Sequence, residues 1–374
     1  MTAIGLLMHN CPAMADKPLV SVIIANWNGT SHLEECLASI EAQTYPSIET
    51  VLVDNASIDG SVELIGADFP EIKLIENDVN RGYCASNNQG AREASGELLF
   101  LLNNDTIIAP GCVEQMVKAL REQGERCIGC FPKVVFHSDP HIINAIGTTW
   151  HAHCHWRDAR VGQIDLGQFS HSERVFGSIF PAVLLRRDMF LKIGMFDETM
   201  FSYCEDFDLC YRANILGYHF VTAPQAVVRH KYRSTAKSAF HERWQHYFFM
   251  RNYLYVFLKN YSLKSLIRHF PYAFYRYIAK SAVASMKGHD FRAFLLHARA
   301  VAFVLGKLPK LLRARRFVQK NRARSDEDVW SFSNVEHYNI FHHLGRPVLS
   351  LLNVRVGMTG LTEYHVGNRE YQVE

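Results

Sequence analysis

Short apolar runs alternate with segments of helical pattern along the first hundred residues. The runs are bounded by polar residues, which is typical of buried strands, and they lie at Leu19–Ala25, Glu49–Val53, Ile72–Glu76 and Leu98–Leu102. A polar turn and a segment of helical length separate each run from the next. Strands that alternate with helices at this spacing predict an α/β fold with a parallel sheet.

Asparagine and aspartate residues follow these runs where the strands end. The run at Leu98–Leu102 stops at Asn103, Asn104 and Asp105. Open α/β sheets bind their ligands at the edge where the carboxyl ends of the strands lie. Carboxamide and carboxylate oxygens at that edge suit a hard divalent cation that phosphates already hold. The pattern indicates metal-diphosphate chemistry, while solvated-loop and capping roles for these three residues stay open.

Asp54 directly follows the second predicted strand. One interpretation is a turn aspartate, because Asn55, Ser57, Asp59 and Gly60 behind it are all residues that favour turns. The functional interpretation is an acceptor for a ribose hydroxyl or for an N–H group of a base.

Three carboxylates crowd into four residues at Glu205, Asp206 and Asp208, just ahead of a predicted helix at Leu209–Leu216. Adjacent carboxylates repel, and partial burial raises a carboxyl pKa further. Such a group can take a proton from an attacking hydroxyl as a general base. The alternative is an acidic helix N-terminus that complements the helix dipole, and both roles can hold at once. His230 ends a later strand, where a metal or phosphate role competes with a structural one.

Composition and missing motifs narrow the functional class. The chain has 374 residues, and its formal net charge of +3 is too small to indicate a nucleic-acid partner. No Walker A sequence is present, and no Gly-x-Gly-x-x-Gly follows the first strand. These absences weigh against a P-loop NTPase and against a dinucleotide-binding domain.

Nine cysteines are scattered along the chain, and Cys127 and Cys130 form a lone CxxC. Without a second pair, buried free thiols are expected rather than a zinc or redox site. The odd number of cysteines and the absence of a secretory signal favour a reducing compartment. No apolar run reaches the roughly 20 residues of a membrane-spanning helix. The expected location is the cytoplasm.

Beyond His241 aromatic and basic residues interleave at helical spacing. A boundary near residue 240 divides the chain into an N-terminal extension (1–18), an α/β domain (19–240), a helical basic and aromatic region (241–324) and a C-terminal tail (325–374). Eight basic residues and no acid lie from Lys307 to Arg324. Such helices suit an anionic membrane surface. An ordinary packing domain or the interface of a homo-oligomer is the alternative.

Five segments, in order, resemble one known family. They read VSVIIANWNG, VLVDNASIDGS, NRGYCASNNQG, LLFLLNNDT and GMFDETMFSYCEDFDLCYR. Over about residues 19–235 the chain resembles the rhamnosyltransferase-like branch of the family 2 glycosyltransferases. The resemblance implies a GT-A fold, which is a nucleotide-sugar-binding α/β domain with a mostly parallel central sheet. A mainly helical C-terminal region would follow it here.

The resemblance also implies roles for individual residues. The nucleotide-sugar donor would contact Asn26, Trp27, Asn28, Asp54, Asn80, Gly82, Asn103 and Asn104. Asp105 and His230 would bind Mg²⁺ or Mn²⁺, since residues 103–105 stand where the family has Asp-x-Asp. Asp206, beside Glu205, would be the catalytic base. Asn103 replaces the first aspartate of that motif, which removes one charged metal ligand.

The implied reaction is a single displacement that inverts the anomeric centre of the donor. The base takes the proton of an acceptor hydroxyl as that hydroxyl attacks, and a cation offsets charge on the departing diphosphate. The implied donor is dTDP-rhamnose or a UDP-hexose. The implied acceptor is a glycan, commonly lipid-linked, in cell-surface polysaccharide synthesis, which suggests a peripheral location on the inner face of the plasma membrane.

Two other functions stay open from the sequence. A nucleotidyltransferase shares a similar sheet and metal requirement, but it predicts a basic glycine-rich loop after the first strand, and Asn26–Thr30 contains no Lys or Arg. A GT-A module that binds glycan or membrane without turnover has the same fold. The joint presence of Asp105, Asp206 and His230 argues against such an inactive module.

Overall fold

The computed structural model describes residues 16–151, 155–158, 160–231, 239–288, 291–332, 362–366 and 369–373. Most of the expected N-terminal extension and C-terminal tail lies outside these residues. No helix in the described ranges combines the length and apolar composition needed to cross a bilayer.

The strands, in chain order, are β1 (Val20–Asn26), β2 (Ile48–Asp54), β3 (Lys73–Glu76), β4 (Leu98–Leu102), β5 (Thr106–Ile108), β6 (Cys127–Phe136), β7 (Ile143–Ala145), β8 (Thr148–His151), β9 (His155–Asp158), β10 (Arg174–Val175), β11 (Ala182–Arg186), β12 (His219–His230), β13 (Thr362–Val366) and β14 (Arg369–Val373). The helices are α1 (Thr30–Glu41), α2 (Ser61–Asp68), α3 (Tyr83–Glu93), α4 (Cys112–Arg121), α5 (Arg187–Lys192), α6 (Glu205–Ile215), α7 (Ala239–Asn260), α8 (Leu263–Phe274), α9 (Lys280–Lys287), α10 (Phe291–Gly306), α11 (Leu308–Lys320) and α12 (Asp326–Phe332).

One mixed sheet organises the α/β part, in the order β10-β12-β6-β11-β4-β1-β2-β3, with β5 paired to β12 and β7 to β6. β1 is parallel to β2 and β4, and β2 is parallel to β3. β11 lies between β4 and β6 and is antiparallel to both. The four strands predicted from the first hundred residues form the parallel half of this sheet, each within one residue of its predicted bounds. The predicted fold class is confirmed.

Alternate residues of the central strands face two hydrophobic layers. In β4, Leu99 and Leu101 pack into one layer, and Leu98, Phe100 and Leu102 pack into the other. All five are buried, as expected for a strand whose two faces are both covered. The polar residues that follow β4 therefore extend from a rigid base.

The C-terminal helices share one of these layers with the sheet. Val256 of α7 and Val329 of α12 are buried in the same cluster as Leu99. Asp326, the first residue of α12, is fully buried, and its Oδ1 accepts a hydrogen bond from Tyr211 Oη at 2.8 Å. The first residues of the predicted tail are thus a packed helix. The domain boundary near residue 240 stays a prediction, and Val256 and Val329 beyond it share a hydrophobic cluster with the sheet.

The described cysteines are buried and free. Cys127 and Cys130 both lie on β6, and burial raises the pKa of Cys127 to about 11. A thiol held in this way is neutral at physiological pH and is poorly reactive. The interpretation of the lone CxxC as buried thiols is confirmed.

A buried cation joins the helical region to the α/β part. Lys259 of α7 has 2% of its side chain exposed, and its Nζ lies 3.0 Å from Asp197 Oδ2 and 2.7 Å from Asp208 Oδ1. Asp208 also pairs with Arg212 at 3.0 Å. Burial by itself raises the pKa of Asp197, but Lys259 and hydrogen bonds from Thr199 hold this pKa below its ordinary value. The charged network therefore depends on the lysine.

We predict that Lys259→Ala lowers the free energy of unfolding by about 3–5 kcal/mol, because it leaves a buried carboxylate without its cation. Urea denaturation followed by circular dichroism measures the change. Lys264→Ala is the matched control, since Lys264 pairs with Glu327 at 3.3 Å but has 79% of its side chain exposed. The control is expected to keep the wild-type urea midpoint. Equal midpoints for the two variants would contradict the importance of the buried cation.

Candidate active site

Side-chain amides connect the carboxyl ends of three parallel strands. Asn26, the last residue of β1, is fully buried, and its Nδ2 donates to Asp54 Oδ1 of β2 at 2.9 Å. Its Oδ1 accepts from Nδ2 of Asn104, which follows β4, at 2.7 Å. A Cβ added to Gly29 would lie 2.1 Å from Asn104 Nδ2, so this close approach requires glycine. These side-chain hydrogen bonds fix the carboxyl ends of β1, β2 and β4 relative to one another.

Asp54 lies behind this edge rather than on a ligand-accessible surface. It is 1% exposed, and its two carboxylate oxygens accept from Ser57 Oγ at 2.6 Å and from Ser57 N–H at 2.8 Å. Ser57 Oγ in turn accepts from the backbone N–H of Asn28 at 2.8 Å. Asp54 therefore orders the loops after β1 and β2. Its contact with a ribose or a base stays a prediction.

Gly82 brings the loop after β3 against the loop before α6. Its φ is +83°, and an added Cβ would lie 2.6 Å from the Phe201 ring. Its N–H donates to Asn80 Oδ1 at 2.8 Å, and the N–H of Cys84 donates to the carbonyl of Phe201 at 3.1 Å. This glycine is required both for its backbone conformation and for the space it leaves.

These loops surround an open cavity of about 440 Å³. One group of lining residues comes from the strand ends and the loops after them: Asn26, Trp27, Asn28, Asn80, Gly82 and Asn104. A second group is aromatic and comes from α3, the loop before α6, and α7: Tyr83, Phe201, Tyr203, Trp244 and Phe248. The volume is within the range of small-molecule sites in proteins.

The segment that leads into α6 has an unusual backbone. Phe201, Tyr203 and Cys204 have φ values of +67°, +70° and +68°, a region that non-glycine residues seldom adopt. Nδ2 of Asn252 in α7 lies 2.7 to 3.0 Å from the backbone carbonyls of Met200, Ser202 and Tyr203, which share its two N–H groups. The helical region therefore stabilises the conformation that positions the start of α6.

Glu205 and Asp206, the predicted catalytic pair, are the first two residues of α6. Burial raises the pKa of both carboxyl groups, and the charge of Asp206 raises that of Glu205 further. Asp206 Oδ1 accepts from the backbone N–H of Phe207 at 2.7 Å. Glu205 Oε2 is buried and has no hydrogen-bond partner among the described residues. A pair of this kind can exchange a proton near neutral pH.

Tyr83 lines the cavity, and its phenol has a strongly raised pKa. Burial raises the pKa of Tyr83 well above its ordinary value, and the charges of Glu205, Asp206 and Asp105 add to this effect. Asn104, the neighbour of Asp105, and Tyr203, three residues before Asp206, line the same cavity as Tyr83. The structure therefore brings the chain segments of Asp105 and Asp206, distant in sequence, to one cavity.

Asp105 and His230 face each other where β5 pairs with the end of β12. His230 Nε2 lies 3.4 Å from Asp105 Oδ1, and its Nδ1 lies 3.0 Å from Asn144 Oδ1. A histidine that donates from Nδ1 to Asn144 presents the lone pair of Nε2 to the carboxylate. Neighbouring ligands of an octahedral Mg²⁺ or Mn²⁺ are about 3 Å apart, given bonds of about 2.1 Å. The two side chains are suited to one divalent cation.

Asp105 and His230 supply too few ligands to complete the coordination of a divalent cation without further oxygen atoms. Within the described ranges no three His, Cys, Asp or Glu side chains cluster as metal ligands. Asn103 Oδ1 is buried and has no hydrogen-bond partner in the described part of the chain. These residues fit a cation that arrives with a diphosphate, whose oxygens complete the coordination.

Six of the predicted site residues line the cavity, as named above, and six others do not: Asp54, Asn103, Asp105, Glu205, Asp206 and His230. Sequence reasoning missed Tyr83, Asn144, Trp244 and Asn252. Tyr83 lies inside one of the five quoted segments, and a spacing of four residues connects Trp244, Phe248 and Asn252 on one helix face. Nothing local in the sequence indicated Asn144.

Residues 21–194 match the family model described as Glycosyl transferase family 2, and this part of the chain is a family 2 glycosyltransferase domain. The chain is 32% identical over 237 residues to the O-antigen biosynthesis protein RfbC of Myxococcus xanthus, covering 60% of this chain and 18% of that protein. It is 27% identical over 241 residues to the N-acetylglucosaminyl-diphospho-decaprenol L-rhamnosyltransferase of Mycobacterium tuberculosis, covering 59% of this chain and 78% of that enzyme.

The fold is similar to the crystal structure of GalNAc-T7 with UDP, GalNAc and Mn²⁺. The TM-score is 0.62 at 18% identity, over 88% of this chain and 58% of that one. At this identity the likeness concerns the fold, which is GT-A-like. The chain spans 18% of the Myxococcus protein and 25% of a second relative, from Sinorhizobium fredii.

Proposed function

We propose that the protein transfers a sugar, with inversion at the anomeric carbon, from a nucleoside-diphosphate donor to a hydroxyl group of a glycan. The observation that carries the proposal is one cavity lined both by Asn104, next to Asp105, and by Tyr203, which stands three residues before Asp206. The family 2 domain supports the reaction class.

Asp206 is the catalytic base in this proposal. Burial raises the pKa of Glu205 and the charge of Asp206 raises it further, so the two adjacent carboxyl groups share a proton more readily than two separate ones. Asp206 takes the proton of the acceptor hydroxyl while the hydroxyl oxygen bonds to the anomeric carbon. The bond from that carbon to the diphosphate breaks in the same step, which yields a glycoside and a nucleoside diphosphate. A positioned base contributes about 10² to 10⁴ in rate.

Asp105 and His230 hold Mg²⁺ or Mn²⁺ in this proposal, and Asn144 orients the imidazole. A bound cation supplies positive charge against the diphosphate. With Asn103 in place of an acid, the protein offers one carboxylate ligand, and we expect weak metal binding until a nucleotide adds its phosphates. The separation of 3.4 Å between His230 Nε2 and Asp105 Oδ1 supports this assignment.

The proposed donor is dTDP-rhamnose or a UDP-hexose, and the proposed acceptor is a lipid-linked glycan in cell-surface polysaccharide synthesis. The sequence similarity to the mycobacterial rhamnosyltransferase and to the Myxococcus O-antigen biosynthesis protein supports this choice. The proposed location is the cytoplasm, peripherally on the inner face of the plasma membrane.

The exposed side of α11 supports membrane contact. Three of the eight basic residues donate to backbone carbonyls inside the protein, namely Arg315, Arg322 and Arg324. The other five are exposed: Lys307, Lys310, Arg313, Arg316 and Lys320. Leu308, Leu312 and Phe317 lie among them with 41%, 43% and 44% exposure. Apolar side chains that insert, flanked by cations, suit an anionic lipid surface.

We predict that Asp206→Asn lowers kcat by about 10² to 10⁴ and leaves the affinity for UDP or dTDP nearly unchanged. Donor turnover across a panel of nucleotide sugars and calorimetric titration with nucleotide measure the two quantities. Asp68→Asn, at an exposed carboxylate of α2, is the control. If Asp206→Asn keeps a comparable kcat while Glu205→Gln loses it, the base is Glu205.

We predict that kcat of the wild type falls as the pH drops toward mildly acidic values. The base acts only when ionised, and burial raises the pKa of Asp206 above the ordinary value of about 4. The acidic limb of the pH–rate profile should therefore lie well above pH 4 and be absent from the residual activity of Asp206→Asn. An activity that persists unchanged to about pH 4 contradicts a buried carboxylate base.

We predict that Asp105→Asn and His230→Gln each weaken Mn²⁺ binding in the presence of UDP or dTDP by at least about tenfold. Electron paramagnetic resonance counts free and bound Mn²⁺ without relying on turnover. His219→Gln, at the opposite end of β12, is the matched control and is expected to bind Mn²⁺ like the wild type. Wild-type binding by both ligand variants argues against this metal site.

We predict that replacing Lys310, Arg313, Arg316 and Lys320 together with Gln abolishes flotation with vesicles that contain anionic lipid. At about 1 kcal/mol per basic residue, the four changes lower the partition coefficient roughly a thousandfold. The control replaces four exposed lysines elsewhere, Lys17, Lys73, Lys118 and Lys192, and so removes the same charge. Equal recovery of the two quadruple variants would reject the α11 surface as the contact.

A further inference from the structure

The aromatic lining of the cavity forms one continuous surface. The Phe201 ring stacks on Phe248 with centroids 5.4 Å apart and an angle of 13°. Trp244 lies 6.1 Å from Phe248, and Tyr203 lies 6.3 Å from it, between ring centroids. Phe248 therefore joins a ring of α7 to the two rings of the segment before α6.

This aromatic surface is connected to the catalytic pair along the chain. Tyr203 stands three residues before Asp206, and Asn252 holds the carbonyl of Tyr203 at 2.7 Å. The residues proposed for the donor come instead from the strand ends and from the loops after β1 and β3. In the proposed reaction the acceptor sugar must bring a hydroxyl group to Asp206. The pyranose ring of the acceptor would therefore lie beside the segment that contains Tyr203 and leads into α6.

Trp244 has the exposure and surroundings of a ligand platform. It is 41% exposed while it contacts the rings of Tyr247 and Phe248. Gln245 lines the cavity next to it and offers an amide that both donates and accepts hydrogen bonds. A pyranose has one apolar face of C–H groups and a rim of hydroxyls. A flat indole beside an amide matches both parts of such a ring.

We propose that Trp244, supported by Phe248, is the platform on which the acceptor pyranose packs. The inference rests on the proposed transferase function and extends it, because it assigns acceptor recognition to α7 and names a pyranoside as the ligand. The helical region then both positions the base, through Asn252, and binds the substrate that the base deprotonates.

Saturation-transfer difference NMR tests this assignment with the methyl glycosides of glucose, galactose, N-acetylglucosamine and rhamnose as probes, in the presence of saturating UDP or dTDP. We expect at least one glycoside to receive saturation on the C–H groups of one ring face. Trp244→Ala should weaken its binding about tenfold, the loss of one aromatic contact. Trp244→Phe should restore most of the binding, and Tyr275→Ala, at a 49% exposed ring outside the cavity lining, should leave it unchanged.

Three results overturn the proposal. The first is that no glycoside binds the nucleotide-loaded wild type. The second is that Trp244→Ala binds the glycosides with wild-type affinity. The third is that Trp244→Ala keeps its affinity for the glycoside but binds UDP or dTDP about tenfold more weakly, which would make the indole a nucleobase contact. Calorimetry with UDP and dTDP separates these outcomes from failure of the transferase function, since a wild type that binds neither nucleotide contradicts that function directly.

Discussion

The side-chain amide of Asn252 shares its two N–H groups among three backbone carbonyls and so holds the segment before α6 in its left-handed conformation, and the placement of the candidate active site depends on these contacts. Glu205 and Asp206 follow this segment directly, so its backbone determines where the two carboxylates lie. Lys259, two turns further along α7, reinforces the arrangement by pairing with Asp197 and Asp208 on either side of the segment. α7 is therefore part of the active-site architecture and not an appended helix.

Burial of the carboxyl groups at the start of α6 has an electrostatic consequence. A carboxyl group removed from water resists ionisation, and the pKa of Asp206 rises toward neutrality for this reason. In the proposed reaction, the burial that disfavours the charged form of Asp206 also makes it a more effective proton acceptor at physiological pH. α7 contributes Trp244 and Phe248 to the cavity, so the helix whose Asn252 contacts the segment before α6 also supplies part of the cavity wall.

The strand ends place uncharged amide groups around the cavity. Asn26, Asn104 and Asp54 satisfy one another, which leaves backbone and amide groups in defined positions around the cavity. In the proposed function, Asp105 and His230 are two ligands of a divalent cation, and the phosphates of the donor complete its coordination. Cation and nucleotide binding are then coupled, because each supplies ligands or charge that the other lacks.

The sequence by itself determined the parallel half of the sheet and the residues at its carboxyl edge, since apolar runs that end in Asn or Asp are local signals. Only the tertiary structure decided the rest. β11 inserts antiparallel between β4 and β6, Asn144 meets His230, and Arg315, Arg322 and Arg324 turn inward from the basic stretch. These contacts join residues far apart in the chain and leave no periodic pattern, because packing and hydrogen bonding across elements place no constraint on neighbouring positions in the sequence.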